Sequence, residues 1–112
     1  MNWLLAAISG VLLTKRLLAQ QGDKKRVYQT AEVNVLVKKM IADHLSDTAK
    51  TVTDAARFVE DLGMDSLDVV ELMVNLEERF GISFTDDELA PAKVRDALDT
   101  VKKHLKEADR LR

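Results

Sequence analysis

Residues 56–80, ARFVEDLGMDSLDVVELMVNLEERF, hold the strongest structural signal in this chain. From residue 66 onward, apolar side chains recur within about 100° of a helical wheel; they are Val69, Leu72, Met73, Leu76 and Phe80. Asp65 is a suitable N-cap, Asp68 completes a capping box, and Gly81 is typical of a helix end. The pattern predicts an amphipathic helix from about Ser66 to Phe80.

The opposite face of this helix mixes apolar and acidic side chains. It carries Leu67, Val70, Glu71, Val74, Glu77 and Glu78. Apolar groups surrounded by acids are typical of a surface on which a basic partner docks, although an ordinary solvated face also carries such residues. Residues 54–88 hold eleven acids and two bases, a charge balance that repels nucleic acid and attracts basic protein surfaces.

Ser66 falls at the first position of the predicted helix, where unpaired backbone N–H groups and the helix dipole favour negative charge. The position therefore suits a serine that bears a phosphate or phosphodiester. It does not suit a catalytic serine, because the sequence has neither a G-x-S-x-G elbow nor an evident partner base. By itself the motif also fits an unmodified serine in a helix first turn.

Upstream of this motif, apolar residues mark one face of a first helix that begins the domain near Ala31. They are Val33, Val37, Met40, Ile41 and Leu45. A polar, Thr-rich loop is predicted over residues 46–55, and we expect Val52 and Phe58 to tie it to the core.

Downstream, Asp86–Glu88 predicts a short helical turn that Pro91 limits. A last helix is predicted over about residues 93–108, with Val94, Leu98, Val101 and Leu105 on one face. Three main helices and one short helix predict an all-α, four-helix bundle.

The first 29 residues form a separate N-terminal extension, with the domain assigned to residues 30–112. Residues 3–13 (WLLAAISGVLL) carry no charge, and Lys15 and Arg16 follow them. Residues 3–19 make a marginal membrane span, because a full span needs about 20 apolar residues. Three interpretations remain open: contact with a membrane, a helix packed on the domain or on a partner, and a targeting segment.

Composition excludes several functional classes. The chain has 112 residues, a net charge of −2 and no cysteine, which argues against a generally basic nucleic-acid binder, a disulfide scaffold and a thiol nucleophile. His44 and His104 are not accompanied by a set of metal ligands, and the spacing of Asp61, Asp65 and Asp68 is not that of a calcium loop. No metal site is predicted.

The stretch Ala56–Phe80 closely resembles the acyl carrier proteins of fatty acid synthesis. The resemblance rests on the Phe-Val-Glu-Asp-Leu-Gly lead-in at 58–63, the Asp-Ser-Leu motif at 65–67 and the acidic helix that follows. It extends over about residues 30–107 and leaves the first 29 residues without a counterpart. It implies the family's four-helix bundle, here with an extra N-terminal helix.

The resemblance also implies a function. Ser66 would carry 4′-phosphopantetheine, installed from coenzyme A by a phosphopantetheinyl transferase, and the arm's thiol would hold acyl groups as thioesters. Asp65, Leu67 and Asp68 match the motif that flanks the attachment serine. The acids that meet the transferase in this family are matched by Asp65 and Asp68. The helix face that basic patches on acyl-processing synthases, transferases and reductases contact is matched by Glu71, Val74, Glu77 and Glu78.

The resemblance places the acyl chain between helices, against Leu72, Met73, Leu76, Phe84, Leu89 and Ala97. The expected protein is a monomeric, cytoplasmic, non-enzymatic carrier that serves fatty acid, lipid or related polyketide synthesis, with membrane association through residues 3–19 as one alternative. Two other functions stay open: an aminoacyl or D-alanyl carrier, and a helical interaction module whose Ser66 is never modified.

Overall fold

The computed structural model describes residues 26–45 and 51–112. Three α-helices occur in this part of the chain: α1 (Thr30–His44), α2 (Ser66–Phe80) and α3 (Val94–Glu107). A short 3-10 helix, Asp87–Leu89, lies between α2 and α3. The predicted all-α bundle is confirmed, while the extra N-terminal helix lies outside the described residues.

The apolar stripe of α1 faces the interior. Val33, Val37 and Ile41 are fully buried, and Leu45 closes the end of the helix with 8% of its surface exposed. Met40 is only partly buried at the edge of the core. Burial of this stripe against α2 and α3 accounts for the helix, since each buried aliphatic side chain contributes about 1.5–3 kcal/mol.

The boundaries of α2 agree with the prediction because its caps are local. Asp65 Oδ1 accepts from Asp68 N at 2.8 Å, and Asp68 Oδ2 accepts from Asp65 N at 3.1 Å. At the other end, Gly81 adopts a left-handed conformation with φ 65° and ψ 43°, which a residue with a Cβ adopts only at a cost. All five residues of the predicted core face are buried.

The remaining elements complete a single core. The 3-10 helix buries Leu89, and α3 buries Val94, Ala97, Leu98, Val101 and Leu105. Phe58 is fully buried and Val52 is partly buried against the core, as predicted for the two residues that tie the long loop to the bundle. Residues 46–50 of that loop lie outside the described part of the chain.

Residues 26–29 pack with the bundle, although the sequence pattern predicts them as part of the extension. Tyr28 is 2% exposed and meets Phe80 edge-on, with ring centroids 5.0 Å apart. Its backbone N–H donates to Arg110 O, and its carbonyl accepts from Arg112 N, both at 2.8 Å. The helical periodicity gave no sign of this packing because Tyr28 precedes α1 and its partners lie about 50 to 85 residues downstream.

Candidate functional site

Ser66 is the first residue of α2 and is exposed. The reciprocal bonds between Asp65 and Asp68 fix the first helical turn around it. Because its side chain stands beside the positive end of the helix dipole, the hydroxyl is available to an incoming group and its surroundings favour a negatively charged one.

The segment that leads into Ser66 is held by backbone hydrogen bonds. Met64 N donates to Phe58 O at 3.0 Å, and Gly63 takes a positive φ of 71° that turns the chain toward α2. Arg57 N donates to the Asp61 carboxylate at 2.8 Å. The buried Phe58 ring anchors this turn to the core, so the attachment motif sits on a fixed base.

A second set of bonds fastens the same segment to the start of α3. Phe58 N donates to Ala92 O at 3.0 Å, and Val94 N donates to Ala56 O at 3.0 Å. Arg95 N donates to Asp54 O at 2.8 Å. The end of the bundle that bears Ser66 is thus the end at which α3 begins.

The exposed surface beside Ser66 is acidic. Asp65, Asp68 and Glu71 are all exposed, and Glu78 is half-buried farther along α2. Leu67 stands among these acids with 48% of its surface exposed. An exposed apolar side chain surrounded by carboxylates fits a transient contact with a basic partner.

The structure corrects two members of the predicted acidic face. Val74 and Glu77 are both fully buried, so neither can meet a partner in this conformation. The Glu77 carboxylate accepts the backbone N–H of Phe84 at 2.6 Å, which holds the connection after α2 against the helix. The prediction was wrong because a helical wheel contains no information about a loop that folds back over one flank.

Comparison with known proteins agrees with this arrangement. The family model described as "Phosphopantetheine attachment site" matches residues 35–101. The chain is 50% identical over 66 residues to an acyl carrier protein of Nitratidesulfovibrio vulgaris strain DP4, covering 58% of this chain and 87% of that protein. It is 46% identical over 77 residues to an acyl carrier protein of Porphyromonas gingivalis strain ATCC 33277, and the match covers 68% of this chain and 99% of that protein.

The chain belongs to the acyl carrier protein family. It carries acyl groups on a covalently attached 4′-phosphopantetheine, and its relatives are carrier proteins. Members of this family work with a phosphopantetheinyl transferase and with acyl-processing enzymes. The arm supplies the thiol that the cysteine-free chain lacks.

The six residues predicted to line the acyl pocket of this carrier are all buried within the core. Leu72, Met73 and Leu76 come from α2, Phe84 from the following connection, Leu89 from the 3-10 helix and Ala97 from α3. The structure brings α2, the 3-10 helix and α3 around one apolar region. The role of these six residues as an acyl pocket stays a prediction.

Glu88 links the 3-10 helix of the carrier to α3. Its carboxylate accepts from Lys103 Nζ at 3.0 Å and lies 2.9 Å from His104 Nε2. Burial alone would raise the pKa of Glu88, but the Thr85 N–H, His104 and Lys103 together lower it to about 2. The His104 ring also packs against Phe84, with centroids 5.3 Å apart.

This network predicts a pH-dependent contribution to stability. Because the folded pKa of Glu88 lies below its ordinary value of 4.5, the stabilisation is present above about pH 5 and is lost as pH falls toward 2. We expect Glu88→Gln to lower the free energy of unfolding by about 1 kcal/mol at pH 5 and by much less at pH 2. Urea titrations of both proteins at the two pH values measure the effect. The same difference in free energy of unfolding at pH 5 and at pH 2 would contradict the prediction.

No helix within residues 26–45 or 51–112 is long and apolar enough to cross a membrane. The apolar segment at residues 3–19, for which membrane contact is one interpretation, lies outside the described residues. The same part of the chain, residues 26–45 and 51–112, contains no group of three or more side chains suited to a metal ion.

Proposed function

We propose that Ser66 carries the 4′-phosphopantetheine arm and that this carrier delivers acyl intermediates to enzymes of fatty acid, lipid or related polyketide synthesis. The observation that carries the proposal is the exposed Ser66 at a capped helix N-terminus, with acids on the surface beside it. The positive helix end favours the phosphodiester, while the acids outside it favour basic partner surfaces.

In this proposal the chain positions the arm and takes no part in bond making. The turn anchored by Phe58 holds Ser66 in place, and Asp65 and Asp68 keep the first turn of α2 formed. The acidic docking face guides the transferase and later partners. It comprises Asp65, Asp68, Glu71 and Glu78, with Leu67 as the apolar contact. Val74 and Glu77 are not part of this docking face.

The absence of cysteine gives a sharp test of the carrier function. The protein is first modified with coenzyme A and a broad-specificity phosphopantetheinyl transferase, and is then offered a fatty acyl donor with an acyl-transferring enzyme. We expect acylation that hydroxylamine removes, because only the arm can form a thioester. A modified protein that accepts an activated amino acid and no fatty acyl group would instead be an aminoacyl or D-alanyl carrier.

We predict that Glu71→Lys slows modification of Ser66 about tenfold at low salt, because it places a base inside the acidic docking face. Glu71 is exposed and lies outside the capping box, so α2 should remain folded. Initial rates of modification measure the effect, which should shrink as ionic strength rises.

The matched control is Glu107→Lys, which makes the same charge change at the exposed last residue of α3, the end of that helix away from Ser66. Its rate should stay within about twofold of the unmodified sequence, since exposed charges far from a docking patch are screened. Equal slowing by both substitutions would show a general charge effect and would contradict a docking role for the α2 face.

We further propose that residues 1–22 form a part separate from the carrier domain and contact a membrane through residues 3–19. The uncharged stretch at residues 3–13, followed by Lys15 and Arg16, supports this. Deleting residues 1–22 is expected to remove binding to anionic vesicles and to leave modification of Ser66 intact. Loss of modification in the truncated protein would contradict the separation of the two parts.

A further inference from the structure

The chain that leads out of the N-terminal extension is fastened to the bundle by a clasp, formed by Tyr28, Phe80 and Arg110. Arg110 is 4% exposed although it is charged. Its guanidinium donates to three carbonyl oxygens: Phe80 O at 2.7 Å, Arg26 O at 2.9 Å and Gly81 O at 3.3 Å. One side chain thus joins the segment at residue 26 to the carboxyl end of α2.

Backbone pairing and ring packing reinforce the clasp. Tyr28 and Leu111 form a parallel bridge, and the Arg26 guanidinium lies 4.5 Å from the centre of the Tyr28 ring. The Arg110 cation also suits its position, because the carboxyl end of a helix bears partial negative charge. Tyr28 and Arg110 lie outside residues 35–101, which the family model matches, while Phe80 lies within them.

The clasp and Ser66 lie at opposite ends of α2. The helix runs from Ser66 to Phe80, so these residues are separated by about 21 Å along its axis. The clasp pole comprises residues 26–29, 80–83 and 108–112, where α1 begins and α2 and α3 end. The extension therefore enters the carrier domain at the pole farthest from the attachment serine.

The two poles also differ in charge. Residues 58–71, around Ser66, hold five acids and no base. The clasp pole holds three bases and one acid, and Lys24 and Lys25 directly precede it in the chain. An anionic surface therefore attracts the clasp pole and repels the surroundings of Ser66, within a Debye length of about 8 Å.

We infer that this carrier turns its clasp pole toward an anionic lipid surface and holds Ser66 on the side facing water. The inference rests on the lipid contact proposed above for residues 3–19 and adds the orientation that the clasp imposes. It places the arm and the acidic docking face of α2 within reach of enzymes in the aqueous phase.

Two single-dye proteins test the orientation. In one, dye-labelled coenzyme A places a fluorescent arm on Ser66; in the other, Gln29→Cys carries the same dye at the clasp pole, as the chain has no other thiol. Both are bound to phosphatidylcholine–phosphatidylglycerol vesicles. We expect spin-labelled lipid to quench the Gln29 dye and not the Ser66 dye, which should remain open to acrylamide. Lipid quenching of the Ser66 dye would overturn the inference.

A matched pair of variants tests the clasp itself. Arg110→Gln and Arg112→Gln each remove one positive charge from the same segment, but only Arg110 donates to the three carbonyl oxygens. We expect Arg110→Gln to keep vesicle binding but to lose the difference in lipid quenching between the Gln29 dye and the Ser66 dye. Arg112→Gln should keep both the vesicle binding and the difference in quenching. Circular dichroism confirms folding, and Arg110→Lys supplies a milder variant. A folded Arg110→Gln protein in which the two dyes still differ in lipid quenching would overturn the role of the clasp.

Failure of the proposed attachment site and failure of the proposed orientation give different results in these experiments. If Ser66 accepts no dye-labelled arm, the attachment site proposed above is wrong. If the arm is attached and the protein binds no anionic vesicle, the lipid surface is excluded and the inference fails while the attachment site stands. Equal binding to vesicles of phosphatidylcholine alone would exclude the electrostatic part of the inference.

Discussion

Ser66→Ala is expected to abolish attachment of phosphopantetheine completely, which is the largest functional effect that the structure predicts for one substitution. Ser66 is exposed at the first position of α2, and its hydroxyl oxygen is the atom that would form the phosphodiester. Alanine removes that oxygen and leaves the capping bonds between Asp65 and Asp68 in place. The helix should therefore remain folded while the attachment site is lost.

Intact mass after incubation with coenzyme A and transferase measures this effect. The matched control is Ser83→Ala, which removes a hydroxyl from a half-buried position after α2 and should leave modification unchanged. Circular dichroism should show the same helix content in both variants. A Ser66→Ala protein that still gains the mass of one arm would contradict the assignment.

The second large effect concerns Phe58. Phe58→Ala should lower the free energy of unfolding by about 3–5 kcal/mol, because it empties a fully buried aromatic site. Modification of Ser66 should slow as well, since Phe58 O accepts the Met64 N–H that shapes the turn before α2. Urea unfolding and initial modification rates measure the two consequences separately.

Val59→Ala provides the comparison from the neighbouring residue. Val59 is 52% exposed, so its substitution should change the free energy of unfolding by no more than about 0.5 kcal/mol. Phe58→Leu retains an apolar side chain and should recover much of the lost stability. Similar losses for Phe58→Ala and Val59→Ala would mean that the turn is not anchored through the Phe58 ring.

The parts of the fold that the sequence predicts well depend on neighbouring residues. Asp65 and Asp68 are three positions apart, and Gly81 directly follows the last turn of α2, so cap chemistry locates both ends of the helix. The buried stripes of α1 and α3 follow from the same local periodicity. The caps predict an exposed Ser66 at the start of α2, but its choice as the attachment serine rests on the resemblance to acyl carrier proteins.

The predictions that differ from the structure concern residues whose surroundings come from distant segments. Glu77 was predicted on an exposed face, but its burial depends on Phe84 returning over the helix. Tyr28 was assigned to the extension, but its burial depends on Phe80 and Arg110. Helical periodicity describes one element at a time and contains no information about such pairings.

The Arg110 clasp had no signal of its own in the sequence. Arginine near a helix end is usually a solvated residue, and burial of its charge is favourable only where several acceptors surround it. Here the three carbonyl oxygens come from residues 26, 80 and 81. Only the three-dimensional arrangement brings them together.

The most direct measurement locates the arm within the chain. Trypsin should release residues 58–79 as one peptide, because Arg57 and Arg79 flank a segment without Lys or Arg. Ser66 is the only serine in this peptide, which also lacks Thr and Tyr. After incubation with coenzyme A and transferase, attachment at Ser66 predicts that this peptide gains the mass of one phosphopantetheine. A gain on a peptide containing Ser9, Ser46 or Ser83, or no gain in a folded protein with an active transferase, would contradict it.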